Sequence, residues 1–74
     1  MVNSNKIRKI LGENIQRIRL QKNLSLNEIS IKTKISKEYL KKIENGLAKR
    51  VNMHHLFIIA EALSIKPHKL VEKI

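Results

Sequence analysis

Apolar residues at Ile7, Ile10, Leu11, Ile15 and Ile18 recur at steps of three and four, which lines them along one face of a helix predicted over about residues 5–22. Asn3, Ser4 or Asn5 can cap its start. Asn23 suits its end, because Asn tolerates the left-handed conformation and Leu24 can pack back. Gly12 weakens the middle slightly. The string Ser25-Leu26-Asn27-Glu28 is a capping box, so a second helix starts at Leu26. It is short, about residues 26–33, since Leu26, Ile29, Ser30 and Thr33 exhaust its inward face. Lys34-Ile35-Ser36 then offers a new start, with Ser36 capping a third helix over about 37–45. Gly46 stops that helix, and Leu47 to Val51 form a loop carrying Lys49 and Arg50. Asn52 caps a fourth helix, about 53–63, whose inward positions are Met53, Leu56, Ile59, Ala60 and Leu63. Pro67 suits the first turn of a fifth, about 67–73. No segment alternates with period two, so no sheet is expected. The pattern predicts an all-α fold, a compact five-helix single domain over residues 1–74.

Composition narrows the class. Ile, Leu and Val supply 24 of the 74 residues, enough for one modest core. The longest apolar run, Leu56 to Ala60, is far too short to cross a bilayer, and the first twenty residues lack a signal-peptide pattern. A soluble, intracellular protein with no membrane role is expected. Without cysteine there is neither a disulfide framework nor a thiolate metal site. The formal charge of +10 points to a polyanionic partner, with nucleic acid first. It is concentrated in the first two thirds, since residues 51–74 carry three basic and two acidic side chains. A Lys-rich composition from a biased genome is the bland alternative.

Only three residues separate the second and third predicted helices, which is the spacing of a helix-turn-helix. With Leu40 and Ile43 facing inward, the opposite face of helix three collects Glu38, Lys41, Lys42 and Asn45, flanked by Lys37 and Tyr39. Long polar side chains at the start of such a second helix are what entry into a DNA major groove requires. His54 and His55 point about 100° apart on a helix and have no Cys or Asp to complete a metal site. No nucleophile-base-orienter set, Gly-rich phosphate loop or carboxylate pair emerges. Neither an enzyme, a metal nor a cofactor is expected. The nearly neutral last third holds Phe57, Ile58, Leu70, Val71 and Ile74, more apolar surface than one small core needs. These residues are the expected interface of a homodimer, the alternative being that Leu70 and Phe57 are core and the others scattered surface residues.

The stretch from Ile15 to Leu70 resembles the Cro/repressor-type (Xre) helix-turn-helix family, which has a lambda-repressor-like fold. The key string is SLNEISIKTKISKEYLKKIENG, from Ser25 to Gly46, and AEALSI at Ala60 to Ile65 resembles the family's fourth helix and the turn after it. The matching positions are Arg19, Leu24, Ser25, Glu28, Ile29, Ser30, Ser36, Leu40, Ile43, Glu44 and Gly46. The resemblance implies sequence-specific regulation of transcription through double-stranded DNA, bound at an inverted repeat. It implies Lys37, Glu38 and Lys42 as base readers with Tyr39 and Lys41 beside them. Backbone phosphates would be anchored by Arg17, Ser25, Asn27, Ser36 and Asn45 and, on charge and placement alone because the loop varies in length across the family, by Lys49 and Arg50. It also implies a structural ion pair between Arg19 and Glu44. Size and layout are similar to stand-alone Cro-like repressors and restriction-modification controller proteins, hence a cytoplasmic, nucleoid-associated protein of bacterial or phage origin. Two positions depart from the family pattern. Leu26 stands where a phosphate-contacting Gln is usual, and Lys34 stands in a turn that usually contains Gly. The alternative is an antitoxin or other protein-interaction module on the same fold, for which Met1 to Lys9 would have to supply the partner-binding extension.

Overall fold

In a computed structural model, which describes residues 4–74, the chain folds into four α-helices and a short 3-10 helix. These are α1 (Ser4–Gln21), α2 (Leu26–Thr33), α3 (Lys37–Glu44), α4 (Met53–Ala62) and a 3-10 helix at Pro67–Val71. The α-helical bounds lie within a residue of those the periodicity predicts. A cap for α1 at Asn3 lies outside the described residues. Among the described residues no helix is long and apolar enough to cross a membrane.

Each start and stop has a local cause. Ser25 accepts a hydrogen bond from Glu28 N at 3.0 Å while the Glu28 carboxylate accepts from Ser25 N at 3.2 Å, so the capping box is complete. Ser36 accepts from Tyr39 N and Asn52 from His55 N at the heads of α3 and α4. α1, α3 and α4 end in the same way, with Asn23, Gly46 and Ser64 in the left-handed conformation. The next residue's N–H then reaches back to a carbonyl five positions earlier: Leu24 to Arg19, Leu47 to Lys42, Ile65 to Ala60.

The fifth helix is a correction. Pro67–Val71 is a single stretch of 3-10 geometry, not an α-helix over 67–73. Lys66 supplies no side-chain cap, and five residues are too few to repay α-helical nucleation. The carbonyls of Leu70 and of the C-cap Glu72, which are among the last four of this segment, are satisfied by Asn14, whose Nδ2 donates to them at 3.0 and 2.8 Å.

The core gathers Leu11, Ile15 and Ile18 from α1, Ile29 from α2, Leu40 and Ile43 from α3, Leu56, Ile59 and Ala60 from α4, and Leu63 just after it. Leu70 closes it from the 3-10 helix with no exposed surface, so it is a core residue and leaves the set expected at a dimer interface. Met53, expected to face inward, is 63 % exposed one turn before Leu56. α1 packs on α3 and on the 3-10 helix, α2 on α3 and α4, and α4 on the 3-10 helix. Where α1 meets the end of α3, a side chain at Gly12 would place its Cβ 2.4 Å from the carbonyl oxygens of Ile43 and Glu44. Gly12 is therefore the contact point of the two helices, a larger role than a weak spot in α1.

Candidate nucleic-acid interface

The connection between α2 and α3 is fixed by side chains that hold its backbone. Lys34 takes φ 61°, ψ 20°, the left-handed conformation that a turn of this kind ordinarily gives to Gly. The surrounding bonds hold it there: Lys34 N donates to Ser30 O at 2.8 Å, the Ser30 hydroxyl donates to Ile35 O at 2.6 Å, and Ile35 N donates to the Thr33 hydroxyl at 3.1 Å. Ile35 is buried between the two helices, so the turn is tied from both inside and outside.

α3 is then set on the body of the protein by its buried side. Leu40, Ile43 and Glu44 face inward. The Glu44 carboxylate accepts two hydrogen bonds from Arg19, Nε to Oε2 at 2.7 Å and Nη2 to Oε1 at 3.0 Å, with both residues more than nine-tenths buried. Arg19 Nη1 donates to Leu24 O at 2.8 Å, so one guanidinium joins the end of α3 to the turn that follows α1. The hydrogen bond to Glu44 favours the charged form and outweighs the cost of burial, holding the guanidinium above its already high ordinary pKa.

With that side committed, Lys37, Glu38, Lys41 and Lys42 are exposed on α3 and Asn45 is exposed at its C-terminal cap. Ser25 and Asn27 are exposed at the head of α2, Ser36 at the head of α3, and Lys49 and Arg50 on the loop after α3. Both cap serines spend their lone pairs on backbone N–H groups, which leaves each hydroxyl proton free to donate outward.

Two of the expected residues sit differently. Tyr39 is half-buried, its ring packs on the core and stands edge-on to His55 with centroids 5.7 Å apart, and its hydroxyl donates to Arg50 O at 2.6 Å. It fastens the loop to α3 instead of offering a free hydroxyl. Arg17 lies about 140° around α1 from Gly12, which touches α3. Its Nη1 donates to Asn14 Oδ1 at 3.2 Å, and it shares a groove with Lys69 and Glu72. It is therefore not brought together with the α3 face. Sequence reasoning missed Asn14 entirely. Its side chain is 2 % exposed and bonds to carbonyls of the C-terminal end, and a polar residue on the inward stripe of α1 was the available signal.

The comparisons agree with this geometry. A family model described as Helix-turn-helix matches residues 15–70, which span α2, the turn and α3. Three crystal structures superpose closely. The restriction-modification controller protein C.AhdI from Aeromonas hydrophila has a TM-score of 0.81 at 24 % identity, covering 85 % of this chain and 94 % of that one. The clp gene regulator ClgR from C. glutamicum has a TM-score of 0.80 at 26 % identity, covering 86 % and 82 %. The hypothetical transcription factor NHTF from Neisseria has a TM-score of 0.82 at 18 % identity, covering 96 % and 80 %. No curated protein matches the chain by sequence. With the family match covering well over half the length, and the α2-turn-α3 unit built as described, this protein belongs to the Xre-type helix-turn-helix family of DNA-binding transcription regulators.

Proposed function

We propose that this protein is a sequence-specific regulator that binds an inverted-repeat operator as a homodimer and places α3 in the major groove. The observation that carries the reading is the division of α3 into two sides. Leu40, Ile43 and the Arg19-bound Glu44 lock one side, while Lys37, Glu38, Lys41 and Lys42 stand exposed on the rest. A binder driven by charge alone gains nothing from Glu38 on that surface. A carboxylate there fits the reading of a cytosine amino group, as Lys fits guanine O6 and N7. Ser25, Asn27, Ser36, Asn45, Lys49 and Arg50 then anchor phosphates around the recognition helix.

The dimer reading rests on Phe57, Val71 and Ile74, each more than two-fifths exposed, with half-buried Ile58 beside them in the nearly neutral last third. A two-fold axis there would present two α3 helices to one face of a duplex. The resemblance to a restriction-modification controller and to a clp gene regulator supports a role at a promoter in the bacterial or phage cytoplasm.

The test is selection of bound duplexes from a random library at about 0.2 M salt with competitor DNA, where non-specific attraction is weakened. Enrichment of an inverted repeat with half-sites about one helical turn apart is expected. Binding that vanishes as salt rises, with no enriched sequence, would defeat the reading. Sedimentation showing only an 8.6 kDa species at micromolar concentration would remove the homodimer from it.

A further inference from the structure

A groove of about 490 Å³ opens where the first half of α1, the loop after α3, the start of α4 and the C-terminal end meet. Its apolar lining comes from Ile7 and Leu11, from Val51 and Leu56, and from Val71 and Ile74. Every charged residue in the lining is basic: Arg8, Lys49 and Arg50. Arg8 Nη2 donates to Asn5 Oδ1, but its Nε–H is enclosed and has no acceptor among the described residues. That N–H is closed off from the groove as well, so what the lining offers a ligand is the positive charge of Arg8, Lys49 and Arg50 around an apolar hollow.

An apolar hollow with a few convergent polar groups, of a volume in the lower range of small-molecule sites, is the ordinary form of a ligand pocket. The charges choose the class of ligand. A second copy can meet the outer edge at Val71 and Ile74, but one seated in the hollow would set Arg8, Lys49 and Arg50 against their own counterparts, which repel. A neutral apolar molecule would leave the basic rim without a counter-charge. We propose that the groove binds a single-chain aliphatic carboxylate, with the tail against the apolar lining and the carboxylate on Arg8, Lys49 and Arg50.

Such a ligand would also regulate. Lys49 and Arg50 are the loop cations assigned above to DNA phosphates, and Tyr39 ties the Arg50 carbonyl to α3. Ligand and DNA draw on the same charges, so occupancy weakens DNA binding. That consequence rests on the proposed DNA reading, whereas binding in the groove does not.

The probe is sodium decanoate, titrated below its micelle-forming concentration and followed by NMR of labelled full-length protein. Val71 and Ile74 also border the face proposed for the dimer, so the variants come from the α1 wall. One saturable site is expected, with shifts centred on Ile7, Leu11 and Val51, and with decanol at least about tenfold weaker. Arg8→Gln should weaken decanoate by about tenfold, and Ile7→Glu, which sets a carboxylate in the groove, should abolish binding. Should Ile7→Glu fail to fold, Arg8→Gln carries the test alone. Shifts scattered over the surface without saturation, equal binding of decanol, or undiminished binding by Arg8→Gln would overturn the site. In a second arm, saturating decanoate should lower the affinity of the wild type for a labelled duplex by about tenfold. Unchanged DNA affinity with the groove filled would overturn the competition alone. A protein with no DNA affinity at all would overturn the regulator reading and leave the groove result standing.

Discussion

Arg19 on α1 and Glu44 at the end of α3 meet through two parallel hydrogen bonds, and this pair fixes α3 to the scaffold. The same guanidinium donates to Leu24 O, while Leu24 N donates to Arg19 O, so the turn after α1 is locked by the residue that holds α3. Replacing one partner strands the other charge in the interior. Glu44→Ala should therefore cost about 3–5 kcal/mol, measured by urea denaturation. Arg19→Lys should also destabilise, because a point charge cannot reproduce the fork that serves both Glu44 and Leu24. A Glu44→Ala loss below about 1 kcal/mol would mean that the pair behaves as a surface bridge.

Gly12 gives the second prediction. In an isolated helix Gly12→Ala would gain about 1 kcal/mol from propensity. Here the new Cβ would sit 2.4 Å from two backbone carbonyl oxygens of α3, and backbone has no flexible end to move aside. Overpacking of this kind costs about 1–3 kcal/mol, so the net change should be a loss of stability. Thermal unfolding should show a lower Tm, by about 4–8 °C per kcal/mol. A raised Tm would show that α1 and α3 separate without penalty.

What could be read in the sequence was whatever a few consecutive residues decide. Ser25 with Glu28, Ser36 before Lys37, Asn52 before Met53 and the left-handed Asn23 all act within four positions of themselves, and the structure places each where its spacing implies. The Arg19–Glu44 pair spans 25 residues and was reached only through the family resemblance. Asn14 answers to carbonyls 56 and 58 residues away, and Gly12 answers to a helix end that only tertiary packing brings near. The bonds that hold the 3-10 end are equally remote, since Asn14 on α1 satisfies its last carbonyls. The place of Tyr39 on helix three is legible in the sequence, whereas its bond to Arg50 depends on the path of the loop.

Lys34 provides a change that should improve stability. A side chain at φ 61° costs about 1–2 kcal/mol relative to the right-handed region, and Gly carries no such cost. Gly loses more chain entropy on folding, about 0.5–1 kcal/mol, which offsets part of the gain. Lys34→Gly should therefore stabilise by about 0.5–1 kcal/mol, read as a higher urea midpoint at unchanged slope. An unchanged or lower midpoint would show that the Ser30 and Thr33 bonds already remove the strain.

The proposed division between base readers and phosphate anchors makes Lys42 and Lys49 behave differently, though each removes one positive charge. Lys42 is exposed on α3, so Lys42→Ala should relax preference at one base position of the selected operator and cost about 1–3 kcal/mol there, with little loss on random DNA. Lys49 is exposed on the loop, so Lys49→Ala should weaken all duplexes alike and lower the slope of log affinity against log salt by about one. Glu38→Gln adds a third reading, since it removes a negative charge from the same surface. If Glu38 only repels phosphates, binding tightens on every sequence. If it accepts from a cytosine amino group, affinity for the operator falls while affinity for random DNA rises, and only that opposition of signs is consistent with Glu38 reading a base. Fluorescence anisotropy on operator and scrambled duplexes at three salt concentrations separates the outcomes, and identical behaviour of Lys42→Ala and Lys49→Ala would dissolve the distinction between readers and anchors.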